Sequence, residues 1–416
     1  MLKIALINQR YGLEINGGSE YYTRLIAERL AKSGKYAVEA LTTCALDYVN
    51  WKNHYKPGVE EINGVTVRRF PSKKERGDKF HQLTGYIIQK RKSGDIALNE
   101  YEKWIDLQGP FAPGLVDYVA KRRGDYDVFI VVTYLYYTAV RTLPLVADKA
   151  IMIPTAHNEP TVYYPIFKRM FGADPDYKPP RHFIFLTDEE RDLAHALFHN
   201  EHIPFTTAGV GVDKPGTGDP DAFRKKYKLE DEYIMYVGRI DRNKGCGILI
   251  DYFMEYKKRN NNKLKLVFMG KSIMKAPEHK DMLNLGFVSE EDKFNGLSGA
   301  KASCLPSQFE SLSISALESM SVGTPVIVNG QCDVLSGHCR KSDAGFYYNN
   351  YFEFEGVLNY MMSHDAEYRC MQANAKRYVE ERYRWDDIMR KFDEAIDMIA
   401  GKDDSEKELK ALSGWN

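Results

Sequence analysis

The sequence has no excess of charge of either sign: lysine and arginine total 58, and aspartate and glutamate also total 58, among 416 residues. A neutral chain has no global field with which to draw a polyanion, so no nucleic-acid partner is expected, and no long tail of one sign is present. An uncharged apolar run of about 18 residues, the length a membrane-spanning helix needs, is missing as well. The apolar run in the opening MLKIALIN is too short for a signal peptide and lacks a small-residue cleavage site. Cysteine is sparse, at positions 44, 246, 304, 332, 339 and 370, without metal-ligand spacing and in several cases inside apolar strands. That pattern predicts reduced thiols in a cytoplasmic protein, not a disulfide framework or a zinc site.

What is present is length and apolar content enough for two cores, with 44% hydrophobic residues. Buried-type strands alternate with helical patterns, which predicts doubly wound α/β domains. The chain opens with a strand over 3–8, a loop holding Asn16-Gly17-Gly18 and a helix over 19–33 with Ser19 as its cap. A strand over 38–43 follows, then a hairpin over 60–70 around Asn63-Gly64. Helices over 97–107 and 113–123, strands over 128–133, 150–156 and 183–187, and a helix from 188 complete a first domain. Residues 204–220, with four glycines and three prolines, have linker composition. The stretch 68–92 is basic and polar and reads as solvated surface, with a patch for an anionic lipid surface or a lipid-pyrophosphate acceptor as the alternative.

The chain is organised around residues 302–329, ASCLPSQFESLSISALESMSVGTPVIVN. This reads as a buried strand over 302–305, a loop carrying Glu310, a helix over 313–321 carrying Glu318, and a second buried strand over 325–329. In open α/β sheets ligands sit beyond the carboxyl ends of the strands, where residues 307–312 should lie. There the amides of Leu312, Ser313 and Ile314 begin a helix whose N-terminus suits phosphate. Glu310 and Glu318 are eight positions apart, about two turns, so both can face one crevice and accept hydrogen bonds from vicinal hydroxyls. Phosphate flanked by hydroxyl-binding carboxylates describes a nucleotide sugar. A second signal is the strand over 233–237 leading into Gly238-Arg239-Ile240-Asp241-Arg242-Asn243-Lys244-Gly245 before a helix, where guanidinium, ammonium and helix N-terminus can converge on one diphosphate.

These two stretches, Glu310-x7-Glu318 followed by GTPVIVN and the VGRIDRNKG loop, resemble family 4 glycosyltransferases. The resemblance implies the GT-B fold: two doubly wound Rossmann-like domains facing a central cleft. It places an acceptor-side domain over 1–208, a nucleotide-sugar domain over 209–384, and a C-terminal helix, 385–416, packed back on the first domain. It further implies that Arg239 and Lys244 hold the donor diphosphate, that Glu310 binds the donor sugar, that Glu318 binds the ribose, and that Gly238, Leu312 and Ser313 line the phosphate site. Gly17 and Gly18 would approach the phosphates from the first domain, and His157, in Thr155-Ala156-His157-Asn158, would reach the sugar. Residues 285–289 match a short strand bordering the base. The implied reaction is a retaining transfer of a sugar from a UDP- or GDP-linked donor to a saccharide or lipid-linked acceptor in surface polysaccharide assembly. No metal or other cofactor is expected, since Arg, Lys and helix dipoles do what Mg²⁺ does elsewhere. A catalytically impaired nucleotide-sugar-binding protein and a nucleotide-sugar 2-epimerase of the same fold are the alternatives.

Overall fold

The computed structural model describes residues 1–15, 17–92, 94, 96–213, 218–275 and 277–401. Asn16, the linker residues 214–217 and the charged tail 402–416 lie outside the described residues. The chain divides into two compact units, residues 1–208 with those from 389 onward, and residues 209–388.

The first unit is built on a sheet of β1 (Leu2–Ile7), β2 (Tyr36–Thr43), β3 (Gly58–Ile62), β4 (Val65–Phe70), β5 (Val128–Val132), β6 (Ala150–Ile153), β7 (His182–Phe185) and β8 (Phe205–Thr207). Their order is β3-β4-β2-β1-β5-β6-β7-β8, parallel throughout except for the β3–β4 hairpin. That hairpin turns at Asn63 and Gly64, both at positive φ (52° and 81°), as a tight two-residue turn of primed type requires. β5 is buried at every position, the signature of a strand covered on both faces.

The second unit has β9 (Tyr233–Val237), β10 (Lys265–Met269), β11 (Met282–Asn284), β12 (Ala302–Leu305), β13 (Val326–Asn329) and β14 (Gly345–Tyr348), all parallel, in the order β11-β10-β9-β12-β13-β14. Period-two alternation splits β9 between two cores. Ile234 and Tyr236 join Leu249 and Phe253 of the helix Cys246–Arg259 on one face, while Tyr233 and Met235 join Phe223, Phe294 and Leu297 on the other. Chain order reverses between β9 and β12, so the loops following these two strands diverge and leave a crevice at their carboxyl ends.

The last described helix, Trp385–Ile399, buries Ile388, Phe392, Ala395 and Ile396, one stripe at helical spacing. Its Lys391 donates to the Thr207 carbonyl at 2.7 Å, and its Asp393 accepts from the Tyr36 hydroxyl at 2.7 Å and from Lys35 at 2.6 Å. These bonds tie it to β8 and β2.

Residues 78–90, read as solvated surface, are largely exposed and lie in the helix Asp78–Lys90, whose one fully buried side chain is Ile87. Three local expectations need correction. β8 forms inside the stretch read as linker, because Phe183 and Phe185 of β7 offer it a parallel edge. The strand expected over 285–289 lies earlier, at β11, where Leu266 and Phe268 of β10 provide its register. The first helix starts at Gly18, not Ser19, and its cap position is Gly17, which offers no side-chain hydrogen bond.

Candidate functional site

Both loops at the switch point of the second sheet carry the predicted charges. Gly238 leaves β9 at φ 146°, and Arg239 follows, its carbonyl fixed by the Tyr236 hydroxyl at 2.7 Å. The Arg239 Nε donates to Asp241 at 2.9 Å; Asp241 is buried and also caps the short turn Arg242–Lys244 through the Asn243 amide. That turn ends at Gly245, where a Cβ would stand 2.2 Å from the Pro306 carbonyl, so only glycine lets the β9 loop reach the β12 loop. Across this contact the Lys244 ammonium donates to Glu310 Oε1 at 2.7 Å, with the two side chains 34% and 18% exposed. The pair is accessible to an incoming ligand, and a diphosphate there would compete with Glu310 for the ammonium.

Beyond Glu310 the chain reaches Ser313 in a left-handed conformation (φ 63°, ψ 77°), uncommon for a residue with a Cβ, and enters the helix Ile314–Ser321. Glu318, predicted to face the same crevice, is only 8% exposed and pairs with Lys293 at 2.7 Å. Burial pushes its carboxyl above the ordinary range while Lys293 pulls it back. Lys293 also reaches Glu290 at 2.7 Å, so one ammonium serves two carboxylates. The structure therefore pairs Lys244 with Glu310, holds Arg239 of the same loop on Asp241, and places Glu318 in a separate, more buried pair. A cavity of about 480 Å³ is lined by Asp241, Arg242, Asn243, Ile273, Met274 and Lys275, and by none of those four charged residues. Charge arrangement, not cavity size, marks the site.

In the first unit Gly17 precedes the helix Gly18–Lys32, and a Cβ on it would stand 2.3 Å from Glu20 Oε2; a Cβ on Gly18 would meet nothing within 4 Å. Glu20 is 5% exposed and is gripped by Arg10 through Nε at 2.8 Å and Nη2 at 2.5 Å. Gly17 is thus required by an internal carboxylate that fills the turn. His157 follows β6, with Nδ1 3.4 Å from Glu159 Oε1, the atom that also accepts from the buried Tyr134 hydroxyl at 2.8 Å. The preceding Ala156 amide donates to Glu190 at 2.5 Å, and the Leu186 amide donates to the other oxygen of Glu190 at 2.6 Å. Burial pushes the Glu190 carboxyl up to about 8 against these two bonds. Thr133 and Thr155, at the carboxyl ends of adjacent strands, both sit at positive φ (71° and 52°) with their hydroxyls 3.2 Å apart. Backbone strain of this kind in β-branched residues clusters where a surrounding structure over-determines the chain.

Sequence reasoning missed Arg10, Glu20, Lys293, Asp241 and Glu190. The spacing Gly17-Gly18-x-Glu20 and the position of Lys293 one turn into a helix were the available signals; Glu190 and Asp241 resembled ordinary helix-cap and loop acids.

A family model described as glycosyl transferases group 1 matches residues 219–378. An uncharacterized glycosyltransferase of Methanocaldococcus jannaschii is 28% identical over 183 residues, 40% of this chain and 46% of its own length, so the match spans about half of that relative. Among solved structures, sucrose-phosphate synthase from Thermosynechococcus elongatus superposes with a TM-score of 0.66 at 15% identity, covering 99% of this chain and 100% of that one. Anabaena HepE, solved in complex with UDP and glucose, gives 0.66 at 13% identity over 96% and 100% of the two chains. At these identities the two likenesses speak for the fold. The chain has the two-domain GT-B fold of glycosyltransferases. The stretch 219–378 that the group 1 glycosyltransferase model matches holds every predicted site residue of the second unit.

Proposed function

We propose that the protein is a retaining, metal-independent glycosyltransferase that moves a sugar from a UDP- or GDP-linked donor to a saccharide or lipid-linked acceptor in cell-surface polysaccharide assembly. The observation that carries this reading is the Lys244–Glu310 pair, 2.7 Å long, joining the β9 and β12 loops at the switch point a few residues from Arg239. In this reading Arg239 and Lys244 take the diphosphate, and their charge counters the negative charge that grows on it as the sugar bond breaks. The amides of Leu312, Ser313 and Ile314 supply further donors at a helix start. Glu310, released from part of its hold on Lys244, accepts from sugar hydroxyls, and Glu318 accepts from the ribose through the oxygen that Lys293 leaves uncommitted. The complex of HepE with UDP and glucose is consistent with a UDP-linked donor.

The alternative of a nucleotide-sugar-binding protein with impaired catalysis draws on the engagement of His157 with Glu159 in the first unit. Incubation with UDP- and GDP-sugars in the presence of a chelator separates the readings. Slow release of UDP or GDP, and a transfer product with the donor's anomeric configuration by NMR, are expected. Binding without release would favour the impaired protein, release only on adding a divalent cation would remove metal independence, and an inverted product would remove the retaining assignment.

A further inference from the structure

The helix Asp333–Ser342 presents His338, which is 0% exposed, to the underside of the predicted phosphate loop. Its Nε2 lies 2.7 Å from the Leu312 carbonyl oxygen, and its Nδ1 lies 3.0 Å from the Tyr378 hydroxyl, itself 3.3 Å from the hydroxyl of Tyr383. A carbonyl can only accept, so Nε2 carries the hydrogen and donates.

The consequence lies in the peptide unit this bond grips. The Leu312–Ser313 bond is trans, and in a planar trans peptide the C=O and N–H point in opposite directions. Fixing the Leu312 carbonyl toward the buried His338 therefore turns the Ser313 N–H the other way, away from the helix that carries His338. In a regular helix this carbonyl would serve the amide of residue 316; here that amide donates instead to the Ser313 carbonyl at 3.0 Å. The same anchor holds Ser313 in its left-handed conformation, which a residue with a Cβ keeps only when its surroundings impose it. Among the described residues, the amides of Leu312, Ser313 and Ile314 donate to no protein acceptor.

We infer that His338 is a positioning residue: by donating Nε2–H to the Leu312 carbonyl it aims the Ser313 amide at the donor's phosphate. This rests on the donor site proposed above and adds a residue that touches no substrate. The geometry requires a donor at the Nε2 position, not merely a polar side chain. Glutamine can place its amide near that point, and asparagine, one bond shorter, reaches only the Nδ1 position.

The test compares wild type, His338→Gln and His338→Asn by calorimetry with UDP and GDP, and by hydrogen exchange of the backbone segment 306–314. Expected are wild-type-like affinity within about threefold for His338→Gln and a loss of about tenfold or more for His338→Asn, the worth of one hydrogen bond to a charged group. Exchange of the segment should accelerate in His338→Asn alone. Equal affinities and equal exchange in the two variants would overturn the inference, as would a His338→Gln variant as impaired as His338→Asn. If wild type binds neither nucleotide while exchange still separates the variants, the donor reading fails and the loop-setting role of His338 stands.

Discussion

The two sheets share one winding, with chain order reversing beside β1 in the first unit and beside β9 in the second, yet they use the charges at these positions differently. In the first unit the loop after β1 spends its arginine internally: Arg10 is bound by Glu20, and both side chains are under a tenth exposed. In the second unit the loop after β9 keeps Arg239 and Lys244 each about a third exposed; Arg239 is held by the buried Asp241, while the partner of Lys244, Glu310, is partly exposed and one a phosphate could displace. A buried pair fixes a turn, whereas a half-open pair can exchange one anion for another. Winding alone therefore does not decide whether the charges at a switch point stay exposed; the partners each loop offers them do.

The contrast can be broken most sharply at its buried side. Glu20→Ala leaves the Arg10 guanidinium buried and uncompensated, and should cost about 3–5 kcal/mol of stability in denaturant unfolding. Lys244→Ala should cost under about 1 kcal/mol of stability because its pair is partly solvated. The same substitution, like Arg239→Ala, should cost roughly 2–4 kcal/mol of transition-state stabilisation, read from kcat/KM. If Glu20→Ala proves mild and Lys244→Ala unfolds the protein, the assignment of roles to the two pairs is reversed.

A pH-dependent effect follows from Glu190. Its folded value of about 8 lies above its ordinary 4.5, so the folded state binds the proton more tightly than the unfolded chain. Its contribution to stability is then complete below about 4.5 and is lost as pH rises toward 8, with a slope of up to about 1.4 kcal/mol per pH unit. Unfolding measured across this range should be less pH-dependent in Glu190→Gln, and an unchanged slope would assign the dependence to other groups. Smallest of all, Ser313→Gly relieves a left-handed residue and should raise stability by up to about 1 kcal/mol. A loss instead would mean that the serine side chain contributes more than its backbone costs.

Much of the architecture was legible because strand and helix periods are local. The strand over 302–305 coincides with β12, and the Asn63-Gly64 turn lies where expected. The helix Asp78–Lys90 was hidden because it buries little besides Ile87, so its sequence looks like solvated chain. Within the second unit Arg239, Lys244 and Glu310 could be picked out because they lie in two short motifs, each continuous in sequence. The partners that decide burial could not: Lys293 lies 25 residues from Glu318, and His338 lies 26 from Leu312. Such contacts arise when helices on one face of a sheet come together, and no local pattern in a single sequence records them.

Whether the β9 and β12 loops together hold a nucleoside diphosphate, as proposed above, is decided by calorimetric titration of UDP and GDP into wild type and folded Lys244→Ala. Wild type should bind at least one of the two, and Lys244→Ala should weaken this binding by about tenfold or more. Wild type binding neither nucleotide, or a Lys244→Ala affinity equal to wild type, would contradict the proposal.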